Sequence, residues 1–358
     1  MQRSLLGMVV LICLCTMMLA LYTGPQKVSA TEEEPKRELT LLNWSEYMDP
    51  ELIAEFENRF NARIKQIYYE TEDMRDGMLL EADGRGFDLV VGSGNSLLPH
   101  ARRGWLAHLD SQAIPNLKHI AAQWQNAHPK LAFKAVPLFW GTLGIGYRSD
   151  KIESITSWHH LFRPEEPLRD RIVMIRDTRD LFNAALKASG HSLNTADPAH
   201  IEEAAGLLLA QKPFVRKYSY VALNKDSAMV SGEVWMAQMY NGDALMLQDL
   251  HPAIRYVVPE EGTNLWVDYL AVLEQSSKKK LATQFINFLH EPRNAANLSQ
   301  YLMYATTNQS ATDLLPADFL ENPAVFPPPH VLKQSEMAKV LPPRVKRKIN
   351  MLSGQVMQ

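Results

Sequence analysis

Residues 38–91 alternate between strand-like and helix-like patterns, and that alternation restricts the fold more than any other feature of the chain. Residues 38–42 read as a short strand. Asp49 and Pro50 follow as the N-cap and first position of a helix. Leu52, Ile53, Phe56 and Phe60 then recur at helical spacing. Residues 64–69 alternate as a second strand, and a helical stretch over 74–82 ends at Gly84. Phe87-Asp88-Leu89-Val90-Val91 is a nearly continuous apolar run, of the kind buried on both faces of a parallel sheet. This order predicts an α/β sheet with helices on its faces. In such sheets ligands gather at the carboxyl ends of the strands.

Two segments stand at those ends. Asn43-Trp44-Ser45-Glu46-Tyr47-Met48 closes the first strand, and Gly92-Ser93-Gly94-Asn95-Ser96 closes the third. Tight turns favour Gly, Asn, Asp and Ser. Two aromatics around a glutamate are costly at such a turn unless a ligand rests on them.

The alternation continues downstream. Residues 145–147, 172–175, 218–223, 257–259 and 266–272 read as strands, and 180–188, 199–210 and 279–289 as helices. Pro327-Pro328-Pro329 and Pro342-Pro343 read as extended connectors. A chain of 358 residues has room for two domains. No Gly/Ser-rich linker separates two halves, so strands crossing between them would join the domains. A cleft with hinge motion would follow.

The first thirty residues are set apart. Arg3, an apolar run over 5–21 and the small-x-small pattern Val28-Ser29-Ala30 predict a secretory signal peptide over residues 1–30, cleaved before Thr31. An uncleaved N-terminal anchor is the alternative. Cys13 and Cys15 both fall inside this segment, so the secreted chain would carry no disulfide, thiolate metal site or cysteine nucleophile. Cleavage removes Arg3 and Lys27 and no acid, taking the formal net charge from −3 to −5. That balance disfavours nucleic acid and is compatible with a cationic ligand. No second apolar run has membrane-spanning length.

Enzyme motifs are missing. There is no GxxxxGK[ST] loop and no GxSxG elbow, and Gly92-Ser93-Gly94 lacks the third glycine of a dinucleotide loop, Leu97 standing there. His290-Glu291-Pro292-Arg293-Asn294 is not HExxH. The eleven histidines show no ligand spacing, and His159 and His160 would point apart. No catalytic residue, metal or cofactor is expected.

Aromatic and acidic residues remain, most of them at predicted strand ends. Trp44, Glu46 and Tyr47 form one group, and Tyr240 and Asp243 flank Asn241-Gly242. Trp266 and Asp268 lie two apart on one strand and so share a face. Tyr304 follows a helix. Asp177 and Asp180 have the spacing of a helix capping pattern, and Asp243 has the place of a turn residue. Asp268 is harder to explain structurally. It interrupts the apolar run Asn264-Leu265-Trp266-Val267-Asp268-Tyr269-Leu270-Ala271-Val272. Burying a carboxylate there is costly without a cationic partner. A ligand ammonium would satisfy it, and neighbouring aromatic faces would attract the same cation.

Over most of its length after residue 30 the chain resembles the periplasmic spermidine- and putrescine-binding proteins of bacterial polyamine uptake (PotD and PotF type). The segments that carry the resemblance are NWSEYM, GFDLVVGSGN, GTLGIGYRSDKI, MYNGDA, LWVDYLAV, FINFLHEP and MYATTN, in that order. The resemblance implies a two-lobed α/β fold of the type II periplasmic binding proteins. Lobe 1 would comprise 38–143 with 267–310, and lobe 2 would comprise 144–266 with 311–358. It implies a polyamine site of Trp44, Ser45, Glu46, Tyr47, Ser93, Asn95, Asp177, Asp180, Tyr240, Asp243, Trp266, Asp268 and Tyr304. Asp268 would hold an inner amine or ammonium, with Glu46 and the Asp177–Asp180 pair holding terminal amines. The usual Val-Val-Pro-Ser is Val-Val-Gly-Ser here, and Tyr240 replaces a tryptophan. The implied role is that of a monomeric periplasmic protein delivering ligand to an inner-membrane ABC permease. The alternative is a sensor resembling the norspermidine-sensing relative NspS, which reports to a membrane-bound signalling receptor.

Overall fold

Strands β1 (Arg37–Trp44), β2 (Ala62–Tyr69) and β3 (Leu89–Ser93) are parallel neighbours with β1 between the other two, as the alternation predicts. The structure, a computed structural model, describes residues 36–358. The expected signal peptide and both cysteines lie outside the described residues. The remaining strands are β4 (Ala135–Arg148), β5 (Ile172–Met174), β6 (Val215–Tyr218), β7 (Met236–Tyr240), β8 (Ile254–Val257), β9 (Asn264–Val272), β10 (Ala305–Thr306) and β11 (Glu336–Met337). The main path runs β2-β1-β3-β9-β4-β7-β5-β6, with β8 and β10 on β4 and β11 on β9. Residues 37–358 pack as one compact unit.

The key element is β4. Its first part pairs with β9 through Thr142, and from Leu143 onward it pairs with β7 and β8. Fourteen residues at about 3.3 Å each carry it roughly 45 Å. It therefore passes from one half of the sheet to the other without a break. Each half has its own core. Leu39, Leu41, Phe56, Val91, Phe285 and Phe288 lie in the first. Ile145, Trp158, Met174, Phe182, Leu208 and Ile349 lie in the second. Tyr240 packs against both.

Local chemistry explains the helices. Asp49 accepts from Glu51 N at 2.8 Å and Pro50 starts the helix Pro50–Phe60. Asn61 ends it at φ 45°, a left-handed conformation that asparagine tolerates. Its buried Phe56 meets Phe285 of the helix Lys279–Leu289 edge to face, with ring centroids 4.8 Å apart. Each such buried side chain stabilises by about 2–3 kcal/mol.

Three expectations are corrected. The strand read over 218–223 forms only to Tyr218, because its neighbour β5 is three residues long and the ladder stops at Met174. The strand read over 257–259 ends at Val257; Pro259 has no N–H to donate. The segment after 311, assigned to the second lobe, divides. Ala311, Leu315, Phe319 and Val325 pack with Leu42, Val90 and Leu97 in the first half. The helix Pro343–Met357 joins the second, through Val345, Ile349 and Val356, and Gln334, Glu336 and Met337 before it bond Lys187, Ser192 and Asn194 of that half. Among the described residues no helix is long and apolar enough to cross a membrane.

Candidate functional site

The chain leaves β1 through a kink at Glu46, which has φ 55°. This left-handed residue turns the chain so that Tyr47 is buried while Ser45 and Glu46 are exposed. Trp44 packs its ring on Tyr69 at 4.3 Å. Of the expected first binding loop, the kink thus turns Trp44 and Tyr47 inward. Ser45 and Glu46 are exposed, with no side-chain hydrogen bond among the described residues. The charge of Glu46 reaches Tyr301 on the outer surface instead.

Asp268 lies mid-strand in β9, level with Ser93 of β3 on one side and Phe139 of β4 on the other. It is 7% exposed. The Tyr47 hydroxyl donates to its Oδ2 at 2.8 Å. Burial pushes the carboxyl up to about 7, against the Tyr47 hydrogen bond, and the charge of Glu72 adds to the rise. Desolvation therefore outweighs hydrogen bonding. Among the described residues no Lys or Arg forms an ion pair with Asp268. Trp266 meets Tyr304 and Tyr240 edge to face, while Tyr47 and Tyr304 are tilted. Trp266 lies 4.7 Å from Tyr304 and 5.9 Å from Tyr240, and Tyr47 lies 6.0 Å from Tyr304. The buried Trp266 Nε1 has no hydrogen-bond partner.

The second half contributes two acids from one helix, Thr178–Ala188. Asp177 caps it, accepting from Arg179 N at 2.8 Å and Asp180 N at 3.0 Å. The capping reading of Asp177 is therefore correct as local structure. Asp180 does not cap. Its Oδ2 accepts from the Tyr240 hydroxyl at 2.6 Å and its Oδ1 from Asn264 Nδ2 at 3.5 Å. Burial, then the Asp177 charge, pushes Asp180 up to about 8. Burial, then Glu72, pushes Asp177 up to about 6. A helix N-terminus favours a carboxylate, but the cost of desolvation is larger here.

Asp243 lies in the first turn of the helix Asn241–Leu250, so Asn241-Gly242 begins a helix rather than forming a hairpin turn. The Tyr304 hydroxyl donates to Asp243 Oδ1 at 3.1 Å, and burial pushes Asp243 up to about 6. A Cβ on Gly242 would stand 2.5 Å from the Tyr304 ring. Glycine is needed for this approach.

Ser93 and Asn95 have different surroundings. Ser93 Oγ donates to Glu72 Oε1 at 2.6 Å. Asn95 Nδ2 donates to the Ala338 carbonyl. Ala338 N in turn donates to Asn264 Oδ1 at 3.3 Å. Asn95 thus fastens the C-terminal strap that includes β11.

Glu72 and Asn264 belong to the cluster and were missed in the sequence. Asn264, Trp266 and Asp268 alternate along β9 and share a face, a period-two signal that would have found Asn264. Glu72 follows the N-cap Thr71, and an acid in a first helical turn reads as ordinary helix stabilisation. The acids are spread out rather than convergent: among the described residues no group of three His, Cys, Asp or Glu is placed to hold a metal ion. Spaced carboxylates between aromatic rings suit a linear molecule carrying several cationic groups.

The sequence profile of the bacterial extracellular solute-binding protein family matches residues 51–327. Spermidine/putrescine-binding periplasmic protein 1 of Haemophilus influenzae is 31% identical over 299 residues, 82% of each chain. The putrescine/cadaverine-binding protein of Pseudomonas aeruginosa is 28% identical over 350 residues, 94% of this chain and 96% of that one. Among solved structures, the spermidine/putrescine ABC transporter substrate-binding protein PotD of Streptococcus pneumoniae superposes with a TM-score of 0.78 at 25% identity, covering 90% of this chain and 98% of that one. The two-lobed α/β architecture expected from the sequence is therefore the fold of this protein. The matched proteins bind solutes and are not enzymes. A crossing-strand α/β fold, a profile match over most of the chain and these relatives agree: the protein belongs to the bacterial extracellular solute-binding protein family.

Proposed function

We propose that this protein binds a linear di- or triamine of the putrescine, spermidine or norspermidine class between its lobes in the periplasm and delivers it to an ABC-type permease of the inner membrane. One observation carries the reading. Asp268 is buried, no Lys or Arg pairs with it among the described residues, and Tyr47, Trp266 and Tyr304 stand around it. An ammonium entering this box restores the ionised carboxylate and lies against aromatic faces that attract cations. The methylenes between amines are apolar and pack on the same rings. Asp177, Asp180 and Asp243 provide further anionic positions. The names of the relatives, which bind spermidine, putrescine or cadaverine, support the ligand class and the compartment. Closure would act through β4, the strand shared between the halves.

Calorimetry on the chain after residue 30 tests the pocket. Putrescine, cadaverine, spermidine and norspermidine are titrated in turn, and at least one binds. Absence of heat and of thermal stabilisation with all four sinks the proposal. Delivery is tested by labelled polyamine uptake in cells with and without the gene. Loss of uptake supports the transporter role; unchanged uptake with an altered signalling output assigns the protein to the sensor class.

A further inference from the structure

Glu72 opens the helix Glu72–Glu81, yet the helix does not use its carboxylate as a cap. Thr71 Oγ1 does that, accepting from Met74 N at 3.1 Å. Glu72 Oε1 accepts instead from Ser93 Oγ at 2.6 Å. Ser93 is the register partner of Asp268 across β3 and β9. A single residue pair therefore links Glu72 to the central carboxylate.

The nearest internal cation is Arg75, which is fully buried. Its Nη2 and Nε donate to Asp76 Oδ1 at 2.6 and 3.1 Å, while its Nη1 comes only to 3.8 Å from Glu72. Asp76 also bonds His100 Nε2 at 2.9 Å. One guanidinium thus stands against two carboxylates, hydrogen-bonded to Asp76 and ion-paired at longer range with Glu72. The charge of Glu72 raises the proton affinity of Asp268 in the first half and of Asp177 and Asp180 in the second. Glu72 therefore acts on acids of both lobes.

We propose that Glu72 is a specificity-determining residue, supplying an additional ammonium position that favours triamines over diamines. The inference rests on the polyamine reading above. Two cations of a diamine can meet Asp268 and the Asp177–Asp180 pair, which leaves Glu72, offset only through its longer ion pair with Arg75, as a like charge beside them. A third cation removes that penalty, so the discrimination combines an attraction for the longer ligand with a repulsion retained by the shorter one. The Trp44–Tyr69 ring pair offers an apolar wall for the added methylenes.

The test is calorimetry with spermidine and putrescine on the chain after residue 30, as wild type and as Glu72→Gln. Glutamine keeps the shape and the acceptor for Ser93 while removing the charge. Spermidine affinity should fall about tenfold while putrescine affinity changes less than about threefold. Glu81→Gln, exposed at the far end of the same helix, leaves both affinities unchanged. An equal loss for both amines, or an unchanged ratio, overturns the role of Glu72 and leaves the polyamine reading standing. Wild-type protein that binds neither amine overturns both. Should Glu72→Gln not fold, Glu72→Asp carries the test: it withdraws the charge by one methylene and should give an intermediate ratio, and a wild-type ratio overturns the proposal.

Discussion

The Tyr47 hydroxyl reaches Asp268 Oδ2 at 2.8 Å across 221 residues of sequence. The bond ties the turn after β1 to the middle of β9 and fixes the ring that lies edge-on to Phe139, with centroids 6.0 Å apart. It favours the ionised carboxylate, but burial outweighs it and Asp268 stays near 7. The turn and the strand thus hold an acid at the edge of ionisation.

Asp268→Asn removes the central charge and keeps the shape. Polyamine affinity should fall by about 3 kcal/mol, roughly 100-fold in Kd, as expected for losing one partner of a desolvated pair. Calorimetry reads this directly. The unliganded variant should also melt higher than wild type at pH 8, because no buried carboxylate is then forced to ionise. Unchanged affinity makes Asp268 a structural residue.

Tyr47→Phe leaves the ring and removes the bond. Its effect should be smaller, about 1 kcal/mol in binding. Because the hydrogen bond favours the charged form, its loss should also move the pH dependence of binding upward. A titration of affinity between pH 5 and 8 compares the two proteins, and superimposable profiles would show that the bond does not tune Asp268.

Acidity itself gives a signed prediction. Asp177 and Asp243 near 6, Asp268 near 7 and Asp180 near 8 all lie above the ordinary carboxylate value of 3.8. The folded chain therefore binds more protons than the unfolded chain over this window. Their contribution to unliganded stability is full below about pH 4, falls as pH rises through each folded value and levels off above about pH 8. Bound ammoniums favour the ionised forms, so affinity should rise over the same window with release of protons. Calorimetry at pH 6.5 in two buffers of different ionisation enthalpy measures that release. Proton uptake would contradict the assignment.

Gly141→Ala probes the aromatic box through the backbone. A Cβ there would meet Asn241 Oδ1 and Trp266 Cζ2, each at 2.4 Å. The indole would have to shift away from Tyr304, at a cost of about 1–3 kcal/mol in stability. Binding should weaken beyond that of a surface control, with tryptophan fluorescence reporting the displaced ring. An unaltered emission spectrum and Kd would show that Trp266 does not need its present position.

Much of this was legible in the sequence. The apolar run ending in β3 and the capped helix Pro50–Phe60 were read with small errors in their limits, because period and cap chemistry act over a few residues. The carboxylate in β9 signalled itself by the cost of placing it there. Other parts were not legible. Glu46 takes a left-handed backbone with its side chain exposed, which its residue type does not announce. Asn95 meets Ala338, a strap 243 residues away.

The sequence by itself determined the alternating α/β order and the presence of an acid that an apolar strand cannot easily hold, because both follow from local periodicity and solvation. Only the tertiary structure decided which acids share a site. Tyr47 with Asp268, Tyr240 with Asp180 and Tyr304 with Asp243 pair across at least sixty residues each. Their raised proton affinities come from burial, which exists only in the folded chain. Glu72 shows the difference most clearly: in sequence it is an acid in a first helical turn, and in the fold its charge is felt by acids of both lobes.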